Sequence, residues 1–60
     1  MKDLGQTIAK YRKEHKLNQS QLAKELENYD IYVKQNSISA WELGTATPNA
    51  RQFLALCEIL

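Results

Sequence analysis

The stretch Asn18–Gly44 constrains this chain most, because each of its ends carries helix-boundary chemistry and the interval holds two short helices and a connector. It opens N-Q-S-Q-L-A-K-E-L. Asn18 has the side-chain acceptor that caps a helix start, and Gln21 is placed to return a bond to the cap's own N–H, just ahead of the apolar Leu22, Ala23 and Leu26. A helix is predicted from about 19 to 29. At the other end Ile38 and Trp41 share a helical face, and Gly44 can turn left-handed where that helix stops. A second helix is predicted over about 35–43.

The flanks have the same period. Leu4, Ile8 and Tyr11 recur at spacings of four and three, predicting a helix over about 3–15 with Asp3 as its cap. Gly5 lowers its propensity without ending it, and Arg12 falls close to its buried edge. Leu17 is expected to turn inward ahead of Asn18, and Ala23 is small enough for another helix to cross there. Beyond Gly44, Thr47 as cap and Pro48 in the first turn predict a last helix over about 48–59, with an apolar stripe of Phe53, Leu54, Leu56, Cys57 and Leu60. The fold class is all-α, with four helices.

The connector Glu27–Lys34 is the least regular segment. Tyr29, Ile31 and Val33 alternate with polar or amphipathic residues, but a lone strand has no partner in a helical domain. A lengthened second helix ending near Asn28 or Asp30, then a loop, is the expectation. Val33 is expected to be buried, with at least one of Tyr29 and Tyr32 largely in solvent.

Sixty residues allow one domain at most, here 1–60, expected to be the N-terminal part of a longer polypeptide. One cysteine makes no internal disulfide; Cys57 reads as a buried free thiol and the protein as intracellular. No run reaches a membrane span, so a soluble cytoplasmic protein without membrane partners is expected. Eight basic and seven acidic side chains nearly cancel, although Lys10, Arg12, Lys13, His15 and Lys16 cluster at the first helix's end. A helix C-terminus favours cations in any case. Catalysis has little to stand on: His15 is the only histidine, no nucleophile has a base and orienter, and no Cys/His spacing suits a metal. No enzyme activity, metal or cofactor is expected.

The open face of the third helix carries Gln35, Asn36, Ser39 and Ala40, where a solubilising surface would carry Lys and Glu. Small and amide side chains suit a surface that approaches a partner closely. Three motifs then point one way: L-x-x-x-I-x-x-x-R ending at Arg12, L-N-Q-x-x-L-A at Leu17–Ala23, and I-S-x-W-E-x-G-x-x-x-P at Ile38–Pro48. Together they resemble the phage-repressor and Cro-like (XRE-type) helix-turn-helix family of bacterial and phage DNA-binding proteins.

That resemblance implies a lambda-repressor-like domain lacking the family's fifth helix. The second helix would cross the DNA backbone and the third enter the major groove. By motif, Gln35 and Asn36 become the first base-reading candidates, Ser39 and Ala40 the next, and Lys34 a contact to base or phosphate. Amides can bond adenine, and the Ala40 methyl can meet a thymine methyl. Gln19 matches a phosphate-clamping glutamine, while Thr45 and Thr47, with the N–H groups around Gly44, match a second backbone contact. Lys10 and Arg51 are electrostatic contributors. Arg12 and Glu42 match a partly buried structural ion pair, and Trp41 belongs to the core.

The departure from the family is the connector, about five residues longer than usual and without its glycine. Tyr29 or Tyr32 is a candidate for an added DNA contact there. Implied partners are a palindromic double-stranded operator and a second copy of the chain. The implied role is a transcriptional regulator, with a prophage repressor first, an antitoxin or Cro-like regulator second, and a helical protein-interaction module as the reading from another class.

Overall fold

The computed structural model describes residues 3–60 and contains helices α1 (Leu4–Glu14), α2 (Gln19–Leu26), α3 (Gln35–Leu43) and α4 (Ala50–Ile59), with no strand among the described residues. Met1 and Lys2, included in the expected domain span, lie outside that range. The all-α expectation therefore holds. Helicity also continues past α2 to residue 29, but as a 3₁₀ turn, Glu27–Tyr29.

The two best-formed helix starts use the same chemistry. At α2, the Gln21 N–H donates to Asn18 Oδ1 (2.7 Å) and the Asn18 N–H to Gln21 Oε1 (2.8 Å). At α4, Asn49 and Gln52 repeat both bonds at 2.8 Å. This corrects the expected start at Thr47–Pro48: an Asn-x-x-Gln box satisfies two orphan N–H groups reciprocally, so the helix begins after Asn49. Asp3 and Lys34 occupy the cap positions of α1 and α3 without a side-chain cap bond.

The endings of α1, the 3₁₀ turn and α3 share another pattern. Each closes on a left-handed residue, Lys16 (φ 58°), Asp30 (φ 60°) and Gly44 (φ 82°). In each, the next residue's N–H reaches back five positions: Leu17 to Arg12 O, Ile31 to Leu26 O and Thr45 to Ala40 O. This is the Schellman ending, which satisfies terminal carbonyls and returns the following side chain toward the helix. Leu17 and Ile31 use that turn to reach the core, and Ile31 is fully within it. Asp30 thus stands in for the missing glycine; a short polar side chain tolerates the left-handed region better than most.

The core joins Ile8 of α1, Leu22, Ala23 and Leu26 of α2, Ile31, Ile38 and Trp41 of α3, and Ala55 and Leu56 of α4. Leu22, Leu26 and Ile38 exclude solvent completely. Val33, expected buried, is only half-buried, because the Schellman turn delivers Ile31 to the core first; Tyr32 is 73% exposed. Cys57, also expected buried, is exposed on α4 beside an open apolar cleft shared with Leu4, Ile8 and Tyr11 of α1. Phe53 and Leu54 are likewise exposed, so the inward stripe of α4 is narrower than the run of apolar residues suggests.

Gly5 matters for packing more than for propensity. A Cβ there would lie 2.4 Å from Trp41 O and 2.5 Å from Glu42 O, so α1 approaches the end of α3 at backbone distance. Neither carbonyl can move without disturbing α3. Gly5→Ala is therefore expected to cost about 1–3 kcal/mol in urea unfolding through the forced shift of α1. Lys16→Gly, which relieves a left-handed side chain, should instead gain about 0.5–1 kcal/mol; an unchanged midpoint for both would contradict this packing account.

Candidate nucleic-acid interface

The starts of α2 and α3 are brought together by side chains rather than by a short turn. Ser20 Oγ donates to Gln35 Oε1 at 3.0 Å, and Gln35 Nε2 donates to Gln19 Oε1 at 3.3 Å. Gln19 Nε2 in turn donates to Glu42 Oε1 at 2.9 Å. Behind it, Arg12 grips Glu42 with both forks, Nε to Oε2 at 2.6 Å and Nη2 to Oε1 at 3.2 Å. Arg12 Nη1 also donates to Leu17 O at 2.9 Å. One bonded run thus extends from the α1 end, through the base of α3, to the exposed tips of α2 and α3.

The Arg12 and Glu42 side chains are only 12% and 10% exposed, so both charges are largely desolvated. Burial raises the Glu42 pKa. The hydrogen bonds from Arg12 and Gln19, with the positive charges of Arg12 and Lys13, outweigh it and hold the carboxyl below the ordinary glutamate value. Bidentate pairing and the extra bonds to Leu17 O and Gln19 occupy the polar atoms that burial would otherwise leave bare.

Around this frame, Lys34, Gln35 and Asn36 are exposed in the opening of α3, and Ser39 and Ala40 are half-exposed one turn on. Neither α2 nor α3 has an acidic residue in its first turn; the Asn18 side chain caps α2, whereas the start of α3 has no side-chain cap bond. Thr45 and Thr47 are exposed beyond α3. The N–H groups there are already spent: Gly44, Thr45 and Ala46 all donate to carbonyls of Ala40 or Trp41 to close the helix. The spent N–H groups correct the expectation that the backbone around Gly44 is free to bind. The Thr45 hydroxyl donates to Ala40 O as well, at 3.3 Å, which leaves its oxygen lone pairs and the exposed Thr47 side chain toward solvent.

Lys10 and Arg51 are placed differently. The Lys10 ammonium rests 5.6 Å from the Tyr11 ring centre, and Arg51 lines a shallow cleft with Tyr29, Ile31, Leu54 and Glu58. Neither is bonded to the Gln19–Gln35 cluster. Two features escape sequence reading altogether: the Gln19–Gln35 bond and the use of Gln19 by Glu42. Their only trace is a glutamine as first residue of each of two successive helices.

A four-helix arrangement whose second and third helices are braced at their starts, with the third presenting an amide-rich face, is the architecture of a helix-turn-helix module. The family model described as Helix-turn-helix domain matches residues 5–60. The chain belongs to that family, and its general function is DNA-binding regulation. No curated protein and no solved structure matches it.

The ion pair sets a pH dependence. Because the folded Glu42 pKa is depressed, its stabilising contribution is complete above the unfolded-state value and is lost as pH falls through the folded one. Wild type should exceed Glu42→Gln most in unfolding free energy near neutral pH, with the gap closing in acid; a gap constant with pH would contradict the assignment. Arg12→Ala, which strands a desolvated carboxylate, is expected to cost roughly 3–5 kcal/mol.

Proposed function

We propose that the chain is a sequence-specific double-stranded DNA reader of the phage-repressor and Cro-like subtype, serving a cytoplasmic transcriptional repressor. On this reading residues 1–60 form one domain of a longer protein, and two copies bind the halves of a palindromic operator. The observation that carries it is Gln35: an exposed amide in the first turn of α3, held by Gln19 and Ser20 of α2. A side chain used for base readout must be pre-positioned, since ordering a glutamine only on binding costs rotamer entropy.

In this arrangement α3 enters the major groove, where Gln35 and Asn36 meet base edges and Ser39 and Ala40 follow one turn deeper. Lys34 adds a charge at the groove's edge. The Gln19 amide is already bonded on both its nitrogen and its oxygen. Its contact with phosphate therefore uses the second amide hydrogen, alongside the N–H groups that the capping box leaves at the start of α2. The Thr47 hydroxyl, joined by that of Thr45 when it turns from Ala40 O to a phosphate oxygen, supplies the second backbone contact, and Lys10 and Arg51 add long-range attraction. The exposed apolar clefts are lined from α1, α4 and the connector, not from Gln19, Gln35 or Thr45, which favours DNA over protein as the partner of this face.

Binding-site selection from random duplexes tests the proposal. One preferred, two-fold symmetric sequence is expected, with affinity falling steeply as salt rises. Gln35→Ala should relax preference at one base pair per half-site by roughly 1–3 kcal/mol. Lys34→Ala should instead weaken all sequences alike and lower the salt slope by about one charge. Equal binding to all duplexes would defeat the proposal.

A further inference from the structure

The bonded run has a polarity, and only one member can set it. A primary amide can be inserted in two orientations that exchange donor and acceptor with almost no change of shape. Gln19 and Gln35 both have that freedom. Ser20 does not restrict it, because a hydroxyl donates or accepts as required. Glu42 does: a carboxylate paired with Arg12 accepts only, so it admits the N–H side of Gln19 and repels the carbonyl side. With the Gln19 nitrogen turned to Glu42, its oxygen faces Gln35, which must answer with its own N–H. The Gln35 oxygen is then left beside Ser20.

We propose that Glu42 is a positioning residue for base readout, using its carboxylate to orient Gln19 and thereby the donor–acceptor order that Gln35 presents at the tip of α3. Gln35 keeps one amide hydrogen on its Gln19 side and a lone pair on its Ser20 side. Adenine offers the complementary pair, an N7 acceptor and an N6–H donor, in a fixed order across the major groove. A reversed amide would meet it acceptor to acceptor and donor to donor. The preferred target at that position is therefore an adenine on one strand, and the sign of the preference is set from Glu42, which does not itself contact DNA.

This inference rests on α3 being the base-reading helix, and its test separates the two. Wild type, Gln35→Ala, Glu42→Gln and Gln19→Met are compared on a preferred duplex and on duplexes altered one base pair at a time, at fixed salt and below the unfolding transition of each. Gln35→Ala locates the base pair that Gln35 reads, where wild type should discriminate by roughly 5- to 100-fold. Glu42→Gln, whose amide accepts either orientation of Gln19, should lose most of that discrimination at that pair and keep it elsewhere.

Lost stability lowers the folded fraction equally for every duplex and leaves these ratios untouched, so a purely structural role predicts no change in them. Gln19→Met breaks the run while leaving Arg12 and Glu42 paired, and should relax the same base pair even if Glu42→Gln does not fold. Full discrimination retained in the folded variants, at a pair that Gln35→Ala does alter, would overturn the role of Glu42. If Gln35→Ala alters no pair, the assignment of α3 falls, and the inference with it.

Discussion

The rest of the molecule depends on the forked bond between Arg12 and Glu42. It joins the last turn of α1 to the last turn of α3, and through Leu17 O and Gln19 it also holds the loop before α2 and the first residue of α2. A chain this short has few places to fix the angles between its helices by apolar packing alone. A bidentate charge pair supplies direction where Leu and Ile contacts supply only adhesion. The pair is reachable because Gly5 lets α1 come within backbone distance of Trp41 and Glu42. Sterics on one side and charge on the other thus define one joint.

The long connector becomes intelligible from its ends. Instead of a short turn through glycine, the chain tightens into 3₁₀, turns left-handed at Asp30, and returns Ile31 to the core beside α2. The added residues are absorbed as a wider loop that carries Tyr32 into solvent. A longer connector fixes the angle between α2 and α3 less tightly. The Ser20–Gln35–Gln19 bonds restore that constraint at the other side of the joint, next to the face proposed to meet DNA. The brace and the proposed recognition surface are therefore the same few side chains.

Most of the fold was legible in the sequence because its signals are local. The Asn18–Gln21 box, the three-residue spacing of Ile38 and Trp41, and Gly44 each specify their element from neighbouring residues. The start of α4 departs from the local expectation because Thr47 and Pro48 are good helix-start signals that lose to the second Asn-x-x-Gln box. Cys57, Val33 and the exposed Leu54 show the limit of periodicity: it says which residues share a face, but not how much of that face a neighbouring helix covers. For the interface, the residue types on α3 could be read in advance. The route from Glu42 to Gln35 could not, because it crosses 23 residues from Gln19 to Glu42 and 16 from Gln19 to Gln35. Tertiary hydrogen bonds of that span leave no periodic trace.

The central claim is that the face formed by the starts of α2 and α3 meets DNA. Titrating the labelled protein with a selected duplex and following its backbone and glutamine side-chain amides by NMR tests this most directly. The account predicts that the largest perturbations fall on Gln19, Ser20 and Lys34–Ala40, with the Gln19 and Gln35 side-chain amides among them. Perturbations concentrated instead along the α1–α4 cleft, around Thr7, Tyr11, Phe53 and Cys57, would contradict it.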